Sequence, residues 1–393
     1  MRIGRITGRG ASMLVAVACL SAGIAFGDCG PFSDTSTGSF CGAIEEAFYA
    51  GLTNGTSATT FGPEQGVTRD QMAAFITRTL NQATARSNRR AALDQWWQAT
   101  TPRFDSFGTT AASDAHQCRA DGADIWVSIF QGVSRVRASD GKLLGTWTPA
   151  PGPSWHPGSV LVALGRIFTT NVDLQGAIDM ADPTQDPGEM TQVAQTILPN
   201  ISGMTFDGTS IWTSHIGEDP NGGDNGVTII TPGSWTMTPV TTGFTGSVTG
   251  IAFDGSNVWV TMTPGSLLKL DANGAILQTV SVGGAPTSPT FDGANIWVVN
   301  SSDNSISVVR TSSGAVVATL TGNGLNGPTG AAFDGQRVLV TNHAGNSVSV
   351  WRAADLSPLG TESTGASSQP VGACSDGVNF WVALAGAGEL GRY

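Results

Sequence analysis

Short apolar runs of five or six residues alternate with polar, glycine-containing breaks along most of the chain, and from about residue 111 the alternation is periodic. The clearest copy is Phe253-Asp-Gly-Ser-Asn-Val-Trp-Val260, in which Asp-Gly and two polar residues separate apolar stretches. It returns as FDGTSIWT from Phe206, FDGANIWV from Phe291, FDGQRVLV from Phe333, SDGVNFWV from Ser375 and ADGADIWV from Ala120, with a worn form, ALGRIFTT, from Ala163. The anchoring glycines (122, 165, 208, 255, 293, 335 and 377) are separated by 43, 43, 47, 38, 42 and 42 residues. Asp-Gly between β-rich runs predicts a hairpin, because glycine accepts the positive φ of a tight turn. Each unit then carries a third run, such as Ser305–Arg310, and a fourth, such as Ala315–Leu320. Four strands repeated every 40 to 45 residues predict β-propeller blades, here seven of them over residues 111–393.

One aromatic recurs at a fixed strand position: Trp126, Phe168, Trp212, Trp259, Trp297 and Trp381, with Leu339 the exception. Packing between neighbouring blades accounts for all copies at once. The last unit ends three strands in, at Tyr393. An unpaired blade edge is a liability, so a stretch within 103–112 is expected to supply the outer strand and close the ring.

The 52 glycines and a charged fraction of only 12% fit a turn-rich, mainly β protein. A net charge of −11 with two lysines leaves no basic stripe for nucleic acid. Four cysteines lie outside the N-terminal apolar stretch: Cys29, Cys41, Cys118 and Cys374. Cys29 and Cys41 are the local pair. Cys118 stands three residues before the repeat aspartate of the first unit and Cys374 two before that of the seventh, so their side chains point to opposite faces of equivalent strands. Opposite faces meet between neighbouring blades, and ring closure makes the first and seventh units neighbours. A Cys118–Cys374 bond across that seam is the expectation; two buried thiols are the alternative.

At the other end, Arg2, Arg5 and Arg9 precede an apolar run from Ala11 to Phe26 and small residues near Gly27. This is the pattern of a secretory signal peptide over residues 1–27, and no other stretch is apolar enough to span a bilayer. Phe40, Ile44 and Phe48 recur at helical spacing, and Thr68 with Gln71 forms a capping box for a second helix with Met72, Phe75, Ile76 and Leu80 on its buried face. The whole string, with Phe32-x-Asp34, a Gly-Leu-Thr-x-Gly turn, Phe61-x-Pro63 and Thr-Arg-x-x-Met-Ala at 68–73, resembles an S-layer homology domain over residues 28–82. The resemblance implies a small α-helical unit that holds an exported bacterial protein on the cell envelope by binding cell-wall polysaccharide. It makes Arg69 the glycan-contacting residue and Thr68 its capping support, and arginine suits acidic sugars through its planar fork. Such domains commonly occur in threes; one copy stands here.

Residues 83–110 read as linker and closing strand, with Arg86, Arg89 and Arg90 on a solvated face and Trp96-Trp97 docking the linker. The propeller segments Val298–Val309 and Val340–Trp351 resemble the YVTN family of surface-protein repeats, which implies a propeller in a surface setting, with other surface proteins among its partners. The ends of the second strands are expected at one rim of the channel, which makes Asn171, His215, Asn300, Asn342 and the adjoining His343 the candidate ligand-rim residues. On the same rim Glu218, Asp219 and Asp224 are oxygen donors of the kind calcium or magnesium takes. Hence two functional expectations: an envelope-tethered binding or scaffold protein that needs no cofactor, or a secreted metal-dependent hydrolase or lyase, lactonase-like or antibiotic-lyase-like, working at the His215 rim.

Overall fold

The computed structural model describes residues 32–35, 41–49, 52–69, 71–73, 75–76, 109–130, 132–149, 157–171, 176–198, 200–217 and 225–393. The leader at 1–27, Cys29, Leu80, the basic trio and Trp96-Trp97 lie outside them. From Thr109 onward the chain forms seven four-stranded antiparallel sheets. In six of them the strands follow in sequence order, as in blade 4: Val248–Phe253, Val258–Met262, Ser266–Leu270 and Ile276–Ser281. The first strands of successive blades lie side by side around a central channel.

The repeated phrase is a clasp. In blade 4 one oxygen of Asp254 accepts the backbone amides of Ser256 and Asn257, closing the turn, while the other accepts the indole N–H of Trp259 at 2.7 Å. The same aspartate–indole bond joins Asp121 to Trp126, Asp207 to Trp212, Asp292 to Trp297 and Asp376 to Trp381, at 2.7 to 3.0 Å. At Asp121 burial pushes the pKa up, but the Trp126 indole and the amides of Asp124 and Ala123 outweigh it and the carboxyl ends below its ordinary value. Where the partner changes, so does the clasp. Blade 6 has Leu339 in place of tryptophan, and Asp334 turns its second oxygen to the Arg337 guanidinium at 2.7 Å. Blade 2, with Phe168 in place of tryptophan, has no aspartate either.

Each of these large side chains is buried against the following blade, which gives seven apolar clusters for seven seams. Trp126 packs with Val160 and Ile167 of blade 2, Trp259 with Ile296 and Val298 of blade 5, and Trp381 with Ile125 and Val127 of blade 1. Hydroxyls on one blade also donate to carbonyls of the next: Ser128 to Gly158, Ser202 to Val248, Thr249 to Pro286, Thr287 to Thr329 and Thr341 to Val371. The inner strands approach so closely that side chains would not fit. A Cβ on Gly250 would lie 2.6 Å from the Pro289 ring, and one on Gly330 would collide with the Val371 carbonyl.

Blade 7 closes the ring. Its strands Pro370–Ser375, Phe380–Leu384 and Glu389–Arg392 are completed by Thr109–Ala111, which pairs antiparallel with Glu389–Gly391. Among the described residues no hydroxyl bridge crosses from blade 7 to blade 1. The seam instead carries the Cys118–Cys374 disulfide, Cα to Cα 5.6 Å, and the Arg392 guanidinium, which donates to the carbonyls of Ala138 and Ser139.

Candidate functional site

The N-terminal unit is built on Phe32, fully buried, with the rings of Phe48 and Phe61 at 5.4 and 5.5 Å. Two residues on, the Asp34 carboxylate accepts the backbone amides of Phe61 (2.7 Å) and Gly62 (2.8 Å), tying the first loop to the second. The Phe61 amide, opposed by burial and helped by Gly62, holds the Asp34 carboxyl below its ordinary pKa. Gly55 has φ +72, and a side chain there would run into the Phe32 ring and the Thr60 carbonyl, so the position requires glycine twice over. The Phe-x-Asp and Gly motifs thus make the scaffold.

Thr68 and Gln71 form the expected reciprocal cap: the Thr68 amide donates to Gln71 Oε1 at 2.9 Å and the Gln71 amide to Thr68 Oγ1 at 3.2 Å. Arg69 is exposed on the first turn and makes no ion pair among the described residues. The helix face differs from expectation. Phe75 is half-buried, but Met72 is 49% and Ile76 62% exposed. Besides the start of this helix, the described part of the unit is the helix Cys41–Tyr49 and two loops around Phe32, and these leave the two side chains exposed.

The helix Cys41–Tyr49 ends on the propeller. A helix terminus leaves its last carbonyls without intrahelical partners, and here blade 5 supplies donors. Arg310 donates to the Phe48 carbonyl and lies 4.7 Å from that ring's centre, while Asn295 Nδ2 donates to the Tyr49 carbonyl at 3.0 Å. Positive charge at a helix C-terminus also complements the macrodipole. Arg310→Ala is therefore expected to undock the helix: a hydrogen bond to a charged donor is worth about 1.5–3 kcal/mol, so proteolytic cleavage between the two units should quicken by roughly tenfold or more. Unchanged cleavage would mean that apolar packing of Tyr49 on Trp351 and Leu356 holds the dock alone.

The expected rim residues are mostly internal. Asn300 is fully buried and its amide donates to Ser305 Oγ and Ser307 Oγ, both at 3.0 Å; Asn342 does the same with Ser347 (3.1 Å) and Ser349 (2.8 Å). His215 occupies the equivalent place in blade 3. It too is fully buried, with Nε2 2.7 Å from Thr213 Oγ1 and 3.0 Å from Thr228 Oγ1. At this strand end the side chain turns into the blade and meets hydroxyls there, of the third strand for Asn300 and Asn342 and of the second and third for His215, so these three expected rim residues are held inside their blades. His343 is half-buried at the rim, its amide donating to the Gly327 carbonyl. Asn171 ends its strand opposite Ala177; its side chain lies outside the described residues, as do Glu218, Asp219 and Asp224. Asn225 closes the base of that acidic loop by accepting the Gly217 amide at 2.8 Å. Among the described residues no three His, Cys, Asp or Glu side chains gather as a metal site. Cys41 is disulfide-bonded, while its expected partner Cys29 lies outside the described residues.

The central channel holds what the sequence reading missed. Its cavity, about 70 Å³, is lined by first-strand residues of all seven blades, and none of them is a carboxylate. The one charged side chain in the wall is Arg119. Residues paired with the recurring aromatic are Arg119, Leu161, Thr205, Ala252, Thr290, Ala332 and Cys374, so aligning the units would have exposed a lone cation in a small or apolar column.

Comparison with known proteins agrees with this division. Residues 31–73 match the S-layer homology domain. No curated protein matches the sequence. Among solved structures, a streptogramin B lyase is similar at 17% identity and TM-score 0.60, covering 73% of this chain and 96% of its own. Kuenenia stuttgartiensis hydrazine synthase is similar at 15% identity and TM-score 0.59, covering 74% and 98%. Virginiamycin B lyase from Staphylococcus aureus is similar at 17% and 0.59, covering 72% and 97%. Likenesses at such identity show the propeller fold alone. No helix among the described residues is long and apolar enough to cross a membrane. The chain carries an S-layer homology domain followed by a seven-bladed β-propeller, an arrangement that indicates association with the bacterial cell surface.

Proposed function

We propose that this is an exported, envelope-associated protein in which the S-layer homology domain binds cell-wall polysaccharide through Arg69 and the propeller is a rigid module presented at the surface. The observation that carries this reading is Arg69 itself: exposed, without an ion pair among the described residues, and set on a helix turn whose geometry the Thr68–Gln71 cap fixes. A guanidinium so placed can pair in bidentate fashion with an acidic sugar substituent. The dock onto blade 5 supports a presenting role, because it joins anchor and propeller through hydrogen bonds as well as a linker.

Co-sedimentation with sacculi that retain their polysaccharide tests it. The mature protein is expected in the pellet, and Arg69→Ala should weaken retention by about tenfold, the loss of one charge-assisted contact. A shortened chain must begin ahead of Thr109, or blade 7 loses its outer strand; it should stay in solution. Equal pelleting of all three would end the glycan-anchor reading.

A further inference from the structure

We propose that the central channel is a binding site for a small oxyanion of carboxylate size, held by Arg119 with Gln117, Ser159 and Ser288 as the neutral donors around it. Four observations converge on it. First, Arg119 lines the cavity, and among the described residues its side-chain partner is the neighbouring Cys118 carbonyl at 2.8 Å. A guanidinium carries five N–H donors and stays charged, so most of its capacity faces the channel. Second, no acidic side chain answers it, either in the cavity wall or as an ion pair among the described residues. In a chain of net charge −11, a wall whose one formal charge is positive is a local inversion, and low-dielectric walls focus such a field on an entering anion.

Third, the hydroxyls of the wall fall into two groups. Ser202 and Thr249 are spent on carbonyls of the next blade. Ser159 is different: it lines the cavity, and among the described residues its hydroxyl is not tied to a carbonyl of the next blade. A hydroxyl lining the channel is a neutral donor that a channel ligand can use. Ser288 and Gln117 also stand in the wall and add a hydroxyl and an amide to it. Fourth, size limits the guest. About 70 Å³ is room for roughly five waters, or one carboxylate-sized ion with its nearest water. Burial also holds the Arg119 guanidinium below its ordinary pKa, although the side chain is only half-buried and keeps part of its surface open.

Equilibrium dialysis of the mature protein against labelled acetate, at fixed ionic strength in sodium chloride, tests the site. Acetate should bind saturably at one equivalent, Arg119→Gln should weaken it by about tenfold or more, and benzoate, too wide for the cavity, should not compete. Acetate binding that survives Arg119→Gln, or that benzoate displaces, overturns the proposal, as does the absence of saturable binding to the wild type. If Arg119→Gln fails to fold, Ser159→Ala decides: it keeps the cation and should weaken acetate several-fold, and unchanged affinity rejects the site. The sacculus assay reads Arg69 and is independent of this one.

Discussion

Replacing Asp254 by alanine should lower the stability of the propeller by about 2–4 kcal/mol, and about half of that loss should vanish when Trp259 is already phenylalanine. The aspartate has two separable tasks. One oxygen holds the amides of Ser256 and Asn257, which lie near the surface and can turn to water when it goes. The other answers the indole N–H of Trp259, a side chain with no solvent exposure. Leaving that donor buried without a partner costs about 1–3 kcal/mol. Trp259→Phe alone should cost about 1–3 kcal/mol through lost packing against Ile296 and Val298 in the blade 4–blade 5 seam. With phenylalanine in place there is no N–H to orphan, so the double variant should fall short of the sum by about 1–2 kcal/mol. Thermal midpoints of the four proteins complete the cycle, at roughly 2–4 °C per kcal/mol for a unit of this size. Strict additivity would reduce the aspartate to a turn former. The chain itself argues for coupling, because the two blades without the tryptophan have either moved the carboxylate onto Arg337 or dispensed with it.

That clasp marks the limit of what the sequence made legible. The five-residue spacing from aspartate to tryptophan was plain, and with it the turn, the strand pair and the blade count, because a hairpin is a local event with a local signature. Which atoms meet was not, since the spacing suits indole packing with or without a hydrogen bond. The rim residues show the same limit. Asn300 and Asn342 are polar at strand ends, which reads as ligand contact until the serines five and seven residues on are seen to take both amide hydrogens. That spacing was present in the sequence twice, and His215 with Thr228 is its variant in blade 3. Arg119 was missed for the opposite reason. A single charge draws no notice until seven units are aligned in register, and only ring closure brings Arg119 into one cavity with first-strand residues of the other blades. At the helix after Thr68, periodicity identified an apolar stripe but carried no information on what would cover Met72 and Ile76.

Removing the disulfide should be the most damaging change at any one seam. Cys118 and Cys374 are 256 residues apart, so the bond closes a loop of nearly the whole propeller. Chain-entropy reasoning gives long loops the upper part of the range, about 4–5 kcal/mol, and strain or residual structure lowers it, so about 2–5 kcal/mol is expected for Cys118→Ala with Cys374→Ala. The seam explains why the bond falls there. At five of the other six seams a hydroxyl of one blade reaches a carbonyl of the next, but the place held by Thr341 in blade 6 is Ala383 in blade 7, which has no hydroxyl to donate. What remains without the disulfide is Arg392 on the Ala138 and Ser139 carbonyls, the Trp381 cluster and the three-residue strand Thr109–Ala111. Opening should therefore start at this seam. Hydrogen exchange in the double variant should rise first in Phe380–Leu384 and Asp124–Ile129, well before the blade 4–blade 5 seam, and the thermal midpoint should fall by roughly 5–15 °C. Exchange that rises evenly around the ring would mean that the seven seams are equivalent and that the disulfide acts only on the unfolded chain.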